Sequence, residues 1–91
     1  MAKFFDLYDS FDDFYETFLR GNEIEFLYEG ERYCILPTFN DSKKADGVII
    51  GKAYDDHEQR CASMESLYNA TIADRVFGDI LEKIEIVWNN L

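Results

Sequence analysis

The apolar positions change period along the chain. Over residues 10–20, Phe11, Phe14, Tyr15 and Phe18 fall on one side of a helix at about 3.6 residues per turn, while Asp12, Asp13 and Glu16, with Asp9 just before them, fall on the other. Ser10 suits an N-cap, Asp13 stands where a capping box places its acid, and Gly21 follows as a stop. A helix over 10–20 is predicted. The period then drops to two. Residues 23–28 and 31–36 flank Glu29-Gly30, a hairpin turn signal. A two-residue loop there sets Tyr28 opposite Glu31, Phe26 opposite Tyr33 and Ile24 opposite Ile35. The other face receives Leu27 with Arg32, Glu25 with Cys34 and Glu23 with Leu36. A one-residue slip would separate the apolar pairs, so this register is favoured.

Pro37 is expected to end the pairing or to sit on a strand edge. Residues 38–47 read as a polar loop carrying the adjacent bases Lys43 and Lys44, and 48–54 as a third strand in which Gly51 marks a bulge or a close backbone approach. Asp55-Asp56-His57 makes a turn, residues 58–62 return as a short fourth strand, and Ser63 introduces a brief helix through Leu67 and Tyr68. From Asp74 the period reads as helical again, with Val76, Phe77, Ile80, Leu81, Ile84, Val87 and Trp88 on one arc. A helix over 74–84 is predicted. Ile86 lies off that arc, so residues 85–91 are left open between helix and an extended tail with Ile84, Ile86 and Trp88 on one side. The pattern implies one α+β domain over residues 1–91, a three- or four-stranded antiparallel meander with an N-terminal and a C-terminal helix packed on one face.

Composition supports a folded domain. In 91 residues, hydrophobic types make up 47%, including eight Phe, six Tyr and one Trp, far more than a disordered acidic tail contains. Nineteen carboxylates against nine Lys plus Arg give a net charge of −10, which disfavours contact with nucleic acid and with anionic lipid. The opening Met1-Ala2-Lys3-Phe4-Phe5-Asp6 reaches an acid before any long apolar run and does not read as a secretory signal, and no stretch has the length of a membrane span. A cytoplasmic protein is expected, with Cys34 and Cys61 as free, mostly buried thiols.

No catalytic, cofactor or metal motif stands out. Asp55-Asp56-His57-Glu58 offers four ligand types, but consecutive residues do not converge on one ion, and a solvated turn is the better reading. Cys34 and Cys61 lack the electropositive setting that activates a thiol. Accidental pairing explains adjacent carboxylates, and the five glycines form no phosphate-binding loop. The acidic side of the first helix reads as a solvated face or, as the rival, as an interaction face. Its first-turn acids suit the helix dipole, yet carboxylates at this spacing lie about 5 to 6 Å apart, near the phosphate spacing that a basic groove is built to meet. The expected partner-binding residues are Asp9, Asp12, Asp13, Glu16, Glu23, Glu25, Glu29 and Glu31, with the hairpin glutamates extending the helix's field if they lie beside it.

The run Arg20-Gly21-Asn22-Glu23-Ile24-Glu25-Phe26-Leu27-Tyr28-Glu29-Gly30-Glu31-Arg32-Tyr33-Cys34-Ile35 resembles a pattern in small uncharacterised proteins of Gram-positive bacteria and their mobile elements. The resemblance implies a helix, meander, helix layout and carries over no functional residue. In size and charge the chain is also similar to phage anti-CRISPR inhibitors and toxin-immunity proteins. The expectation is therefore a non-catalytic acidic inhibitor that binds a basic nucleic-acid-handling protein such as a Cas nuclease. The alternatives are an immunity protein or antitoxin that neutralises a cognate toxin and, last, a small enzyme. No cofactor, direct nucleic-acid binding or membrane association is expected, and the oligomeric state is open.

Overall fold

The computed structural model describes residues 2–53 and 58–89, and they form an α+β fold built on one six-stranded antiparallel sheet. In chain order the elements are β1 (Ala2–Lys3), α1 (Phe4–Leu7), α2 (Phe11–Leu19), β2 (Ile24–Tyr28), β3 (Glu31–Phe39), β4 (Ala45–Lys52), β5 (Glu58–Cys61), α3 (Met64–Tyr68), β6 (Thr71–Ile72), β7 (Arg75–Val76) and β8 (Glu85–Asn89). The sheet order is β1-β8-β2-β3-β4-β5, while β6 and β7 make a separate two-stranded hairpin. Three or four strands is thus a correction to six: β8 enters between β1 and β2, two pairings that no local signal announces.

The first half follows the periodicity. Ser10 caps α2 by accepting the Asp13 N–H at 3.2 Å, and Gly21 ends the helix with φ 88°. Phe14, Tyr15 and Phe18 are buried, and Phe11 packs against them. The β2–β3 hairpin has the expected register, Ile24 with Ile35, Phe26 with Tyr33 and Tyr28 with Glu31, about a two-residue loop in which Glu29 (φ 51°) and Gly30 (φ 80°) both take the left-handed region. That geometry matches the twist of the flanking strands. Pro37 does not end β3, which runs to Phe39. Pairing with β2 stops at Ile35, so Pro37 lies where β3 is bonded to β4 alone. The 38–47 loop is shorter than expected because β4 begins at Ala45, and the ladder irregularity falls between Thr38 and Phe39 rather than at Gly51, which pairs regularly with Cys34 and Glu58. The expected turn at Asp55-Asp56-His57 lies outside the described residues.

The helix over 74–84 is not formed. Ala73 (φ 50°) and Asp74 (φ 66°) turn the β6–β7 hairpin, so Asp74 is a turn residue and not a cap. Two 3₁₀ turns follow, Phe77–Asp79 and Leu81–Lys83, and the chain then extends into β8. Phe77, Ile80, Leu81 and Ile84 are buried as a helical arc would have them, because 3₁₀ turns also return side chains to one side every three residues. Gly78 lies under the Tyr68 ring, which fills the space of a side chain. Over Glu85–Asn89 the extended alternative holds, with Ile84 and Ile86 buried and Ile86 paired with both Ala2 and Phe26, while the facing of Trp88 and residues 90–91 lie outside what the structure describes.

One face of the sheet is buried and one is open. Ile24, Phe26, Tyr28, Tyr33, Ile35, Val48, Ile50 and Ile86 join the core with Phe4, Phe14, Phe18, Leu67 and Phe77. Phe77 is the keystone: its ring meets Phe14 of α2 at 6.1 Å and Phe26 of β2 at 5.4 Å, which ties the helical layer to the sheet. The alternate residues Glu25, Leu27, Cys34, Leu36 and Ile49 remain partly or largely accessible on the other face.

Candidate interaction surface

The buried aromatic side of α2 forces its acids outward. Asp9, Asp12, Asp13 and Glu16 are all exposed, and their carboxylates make no ion pair among the described residues. Asp12 and Asp13 also stand in the first turn, where the helix dipole favours negative charge. Glu16 is past that turn, so neither cap nor dipole accounts for it.

The hairpin glutamates stand elsewhere. Glu25 lies on the open face of the sheet, away from the helical layer, and accepts a hydrogen bond from Arg32 Nη1 at 2.8 Å. Its second oxygen accepts from the Cys34 thiol at 3.8 Å. Glu31 pairs with Lys52 at 3.2 Å, Glu29 is exposed in the turn, and Glu23 is exposed just before β2. The sheet therefore separates Glu25 from the helix acids, so the hairpin glutamates do not all extend the field of the helix. Sequence periodicity identified both exposed sets, but the side of the sheet on which each stands depends on where α2 packs.

Cys34 and Cys61 are free thiols, Cys61 buried and Cys34 partly so. Burial pushes the Cys34 thiol up from its ordinary range, and the charge and hydrogen bond of Glu25 push the same way against a smaller opposing effect of Arg32. Burial likewise raises Cys61. Both environments disfavour the thiolate, the form that attacks electrophiles. Among the described residues no group of three or more His, Cys, Asp or Glu side chains is placed to hold a metal ion, and His57 lies outside them. No described helix is long and apolar enough to cross a membrane.

A cleft that periodicity does not reveal lies at the far end of α2. Leu19 and Phe39, exposed by 47% and 55%, share a shallow cleft with Arg20, Lys43 and Lys44. The paired bases are visible in the sequence. Their approach to Arg20 follows from the continuation of β3 and β4 past the expected loop boundaries. No protein-family model, curated protein or solved structure matches the chain.

Proposed function

We propose that the protein is a non-catalytic acidic inhibitor whose α2 ridge occupies a basic groove on a nucleic-acid-handling protein, in the manner of anti-CRISPR proteins acting on a Cas nuclease. The observation that carries the reading is the contrast between the two acidic sets. Glu25 and Glu31 are neutralised within the fold by Arg32 and Lys52, whereas Asp9, Asp12, Asp13 and Glu16 are presented outward with no such partner among the described residues. Unpaired surface carboxylates on a rigid helix steer a basic partner into register and keep their charge available for it.

The test measures DNA cleavage by a guide-loaded Cas nuclease in the presence of the wild-type protein and of a variant with Asp9→Asn, Asp12→Asn, Asp13→Asn and Glu16→Gln. Inhibition is expected to weaken between about 50 and 300 mM salt, and the variant to need at least about tenfold more protein at low salt. Equal inhibition by the two proteins would remove the ridge as the contact. Absence of inhibition across Cas nuclease types, with neutralisation of a co-encoded toxin, would replace the nuclease reading by the immunity reading.

A further inference from the structure

The C-terminal end of α2 carries the opposite sign from its ridge. Beyond Arg20 the chain turns through Gly21, and the Phe39 ring lies over this turn, with its Cζ 3.9 Å from where a Cβ on Gly21 would stand. Phe39 immediately follows the register shift in β3, and such shifts re-aim side chains. The hairpin tip beyond it is tied to itself. The Asn40 N–H donates to the Lys44 carbonyl and the Lys43 N–H to the Asn40 carbonyl, each at 2.9 Å, while Asn40 Oδ1 accepts from the N–H groups of Ser42 and Lys44. Lys43 and Lys44 are thus presented from a fixed turn. With Arg20 they make up three of the nine Lys and Arg residues, and none of the three forms an ion pair among the described residues.

From this juxtaposition we infer that the cleft between α2 and the β3–β4 tip docks an acidic segment of a partner protein, one that inserts a large apolar side chain between Leu19 and Phe39 while its carboxylates meet Arg20, Lys43 and Lys44. Charge complementarity selects the sign of the occupant, and the two exposed apolar side chains select a peptide over a bare polyanion. A long nucleic acid also meets the repulsion of a molecule with net charge −10, whereas a short segment with spaced carboxylates can reach Arg20, Lys43 and Lys44 and leave neutral positions beside Asp41 and Glu16. Because the tip is ordered by its own hydrogen bonds, little loop entropy is lost on docking. Docking in the cleft does not require the ridge's partner.

Fluorescence anisotropy tests it with a fluorescein-labelled peptide of repeated Glu-Leu-Asp-Phe, a control in which Ser replaces Leu and Phe, and a single-stranded oligothymidylate. Saturable binding of the first peptide is expected. It should weaken by about tenfold or more in the double variant Lys43→Glu, Lys44→Glu and in Phe39→Ser, and stay unchanged in Arg75→Gln, which removes an exposed base outside the cleft. All substituted positions are exposed, and circular dichroism melting checks that each variant is folded. No saturable binding, equal binding of the Ser control, or tighter binding of the oligonucleotide overturns the proposal. So does a concentration-dependent dimer in sedimentation that the lysine reversal abolishes, since the occupant would then be a second copy.

Discussion

Replacing Glu85 by proline separates the two readings of the C-terminal segment. In a helix ending near Ile84, residue 85 would lie just past the last turn, where proline is well tolerated. In the structure it lies inside the sheet, with Lys3 of β1 on one side and Leu27 of β2 on the other. Proline there removes a backbone donor and leaves its acceptor unpaired, at about 1 to 3 kcal/mol. The ring has no edge to face, so steric displacement of β1 or β2 adds to that loss. The Lys3–Glu85 ion pair is also removed, but at 3.7 Å with both side chains well exposed it contributes about 0 to 1 kcal/mol. A total of about 2 to 4 kcal/mol is a large part of the about 5 to 14 kcal/mol expected for a domain of this length. Urea unfolding followed by far-ultraviolet circular dichroism reads the change as a lower midpoint, with Glu85→Gln as the control that loses only the ion pair. If the proline and glutamine variants unfold at the same midpoint, β8 is not held between β1 and β2 and that part of the sheet order is wrong.

Three further outcomes follow from the packing of the core and the sheet. The Tyr8 hydroxyl is buried without a hydrogen-bond partner among the described residues, so Tyr8→Phe should raise stability by about 1 kcal/mol in urea titration, and a loss of that size would mean that the hydroxyl is bonded. A Cβ on Gly47 would stand 2.7 Å from the Cys61 carbonyl oxygen, a backbone atom of the neighbouring strand. Gly47→Ala should therefore cost about 1 to 3 kcal/mol and lower the melting temperature by about 5 to 15 °C, and an unchanged melt would refute the contact. Burial raises Cys34 and Cys61 above their ordinary value of 9.0 and Tyr8, Tyr15 and Tyr33 above 10.0. In each case the unfolded chain loses its proton first, so this contribution to stability is intact below about pH 9 and falls as pH rises through the folded values. Urea midpoints that stay level from pH 8 to about pH 11 would contradict it.

Most of the first half of the fold was legible because two independent signals agreed at each element. For α2, apolar spacing, the Ser10 cap and the Gly21 stop converge; for β2 and β3, alternation and the Glu29-Gly30 turn fix one register. The C-terminal third had a single signal. Its i, i+3 and i+4 apolar spacing fits an α-helix, yet two 3₁₀ turns broken at Ile80 bury the same residues. The competing clues were local and weak: Gly78 within the predicted helix, and Ile84 and Ile86 alternating past it. β1 and α1 left even less to read, since a two-residue strand has no period and α1 is a single turn in which the Asp6 side chain accepts the Lys3 N–H at 3.2 Å. For the candidate site, the residues facing water were readable from period alone. Their grouping was not, because it depends on which side of the sheet receives α2.

That grouping alters what the net charge means. Among the described residues three ion pairs draw Lys3, Arg32 and Lys52 onto Glu85, Glu25 and Glu31, all at strand positions. Those three sheet acids are thereby offset, whereas Asp9, Asp12, Asp13 and Glu16 keep their charge facing outward. Along α2 and its flanks the sign changes, from Asp9, Asp12, Asp13 and Glu16 to Arg20 with Lys43 and Lys44 beside it. Asp12 and Asp13 in the first turn and Arg20 at the C-cap match the helix dipole and so stabilise α2. A uniform −10 would give solubility and little orientation. Outward carboxylates along α2, with Arg20, Lys43 and Lys44 at its end, give an approaching partner a preferred direction, and that is the physical ground for proposing α2 as the contact element.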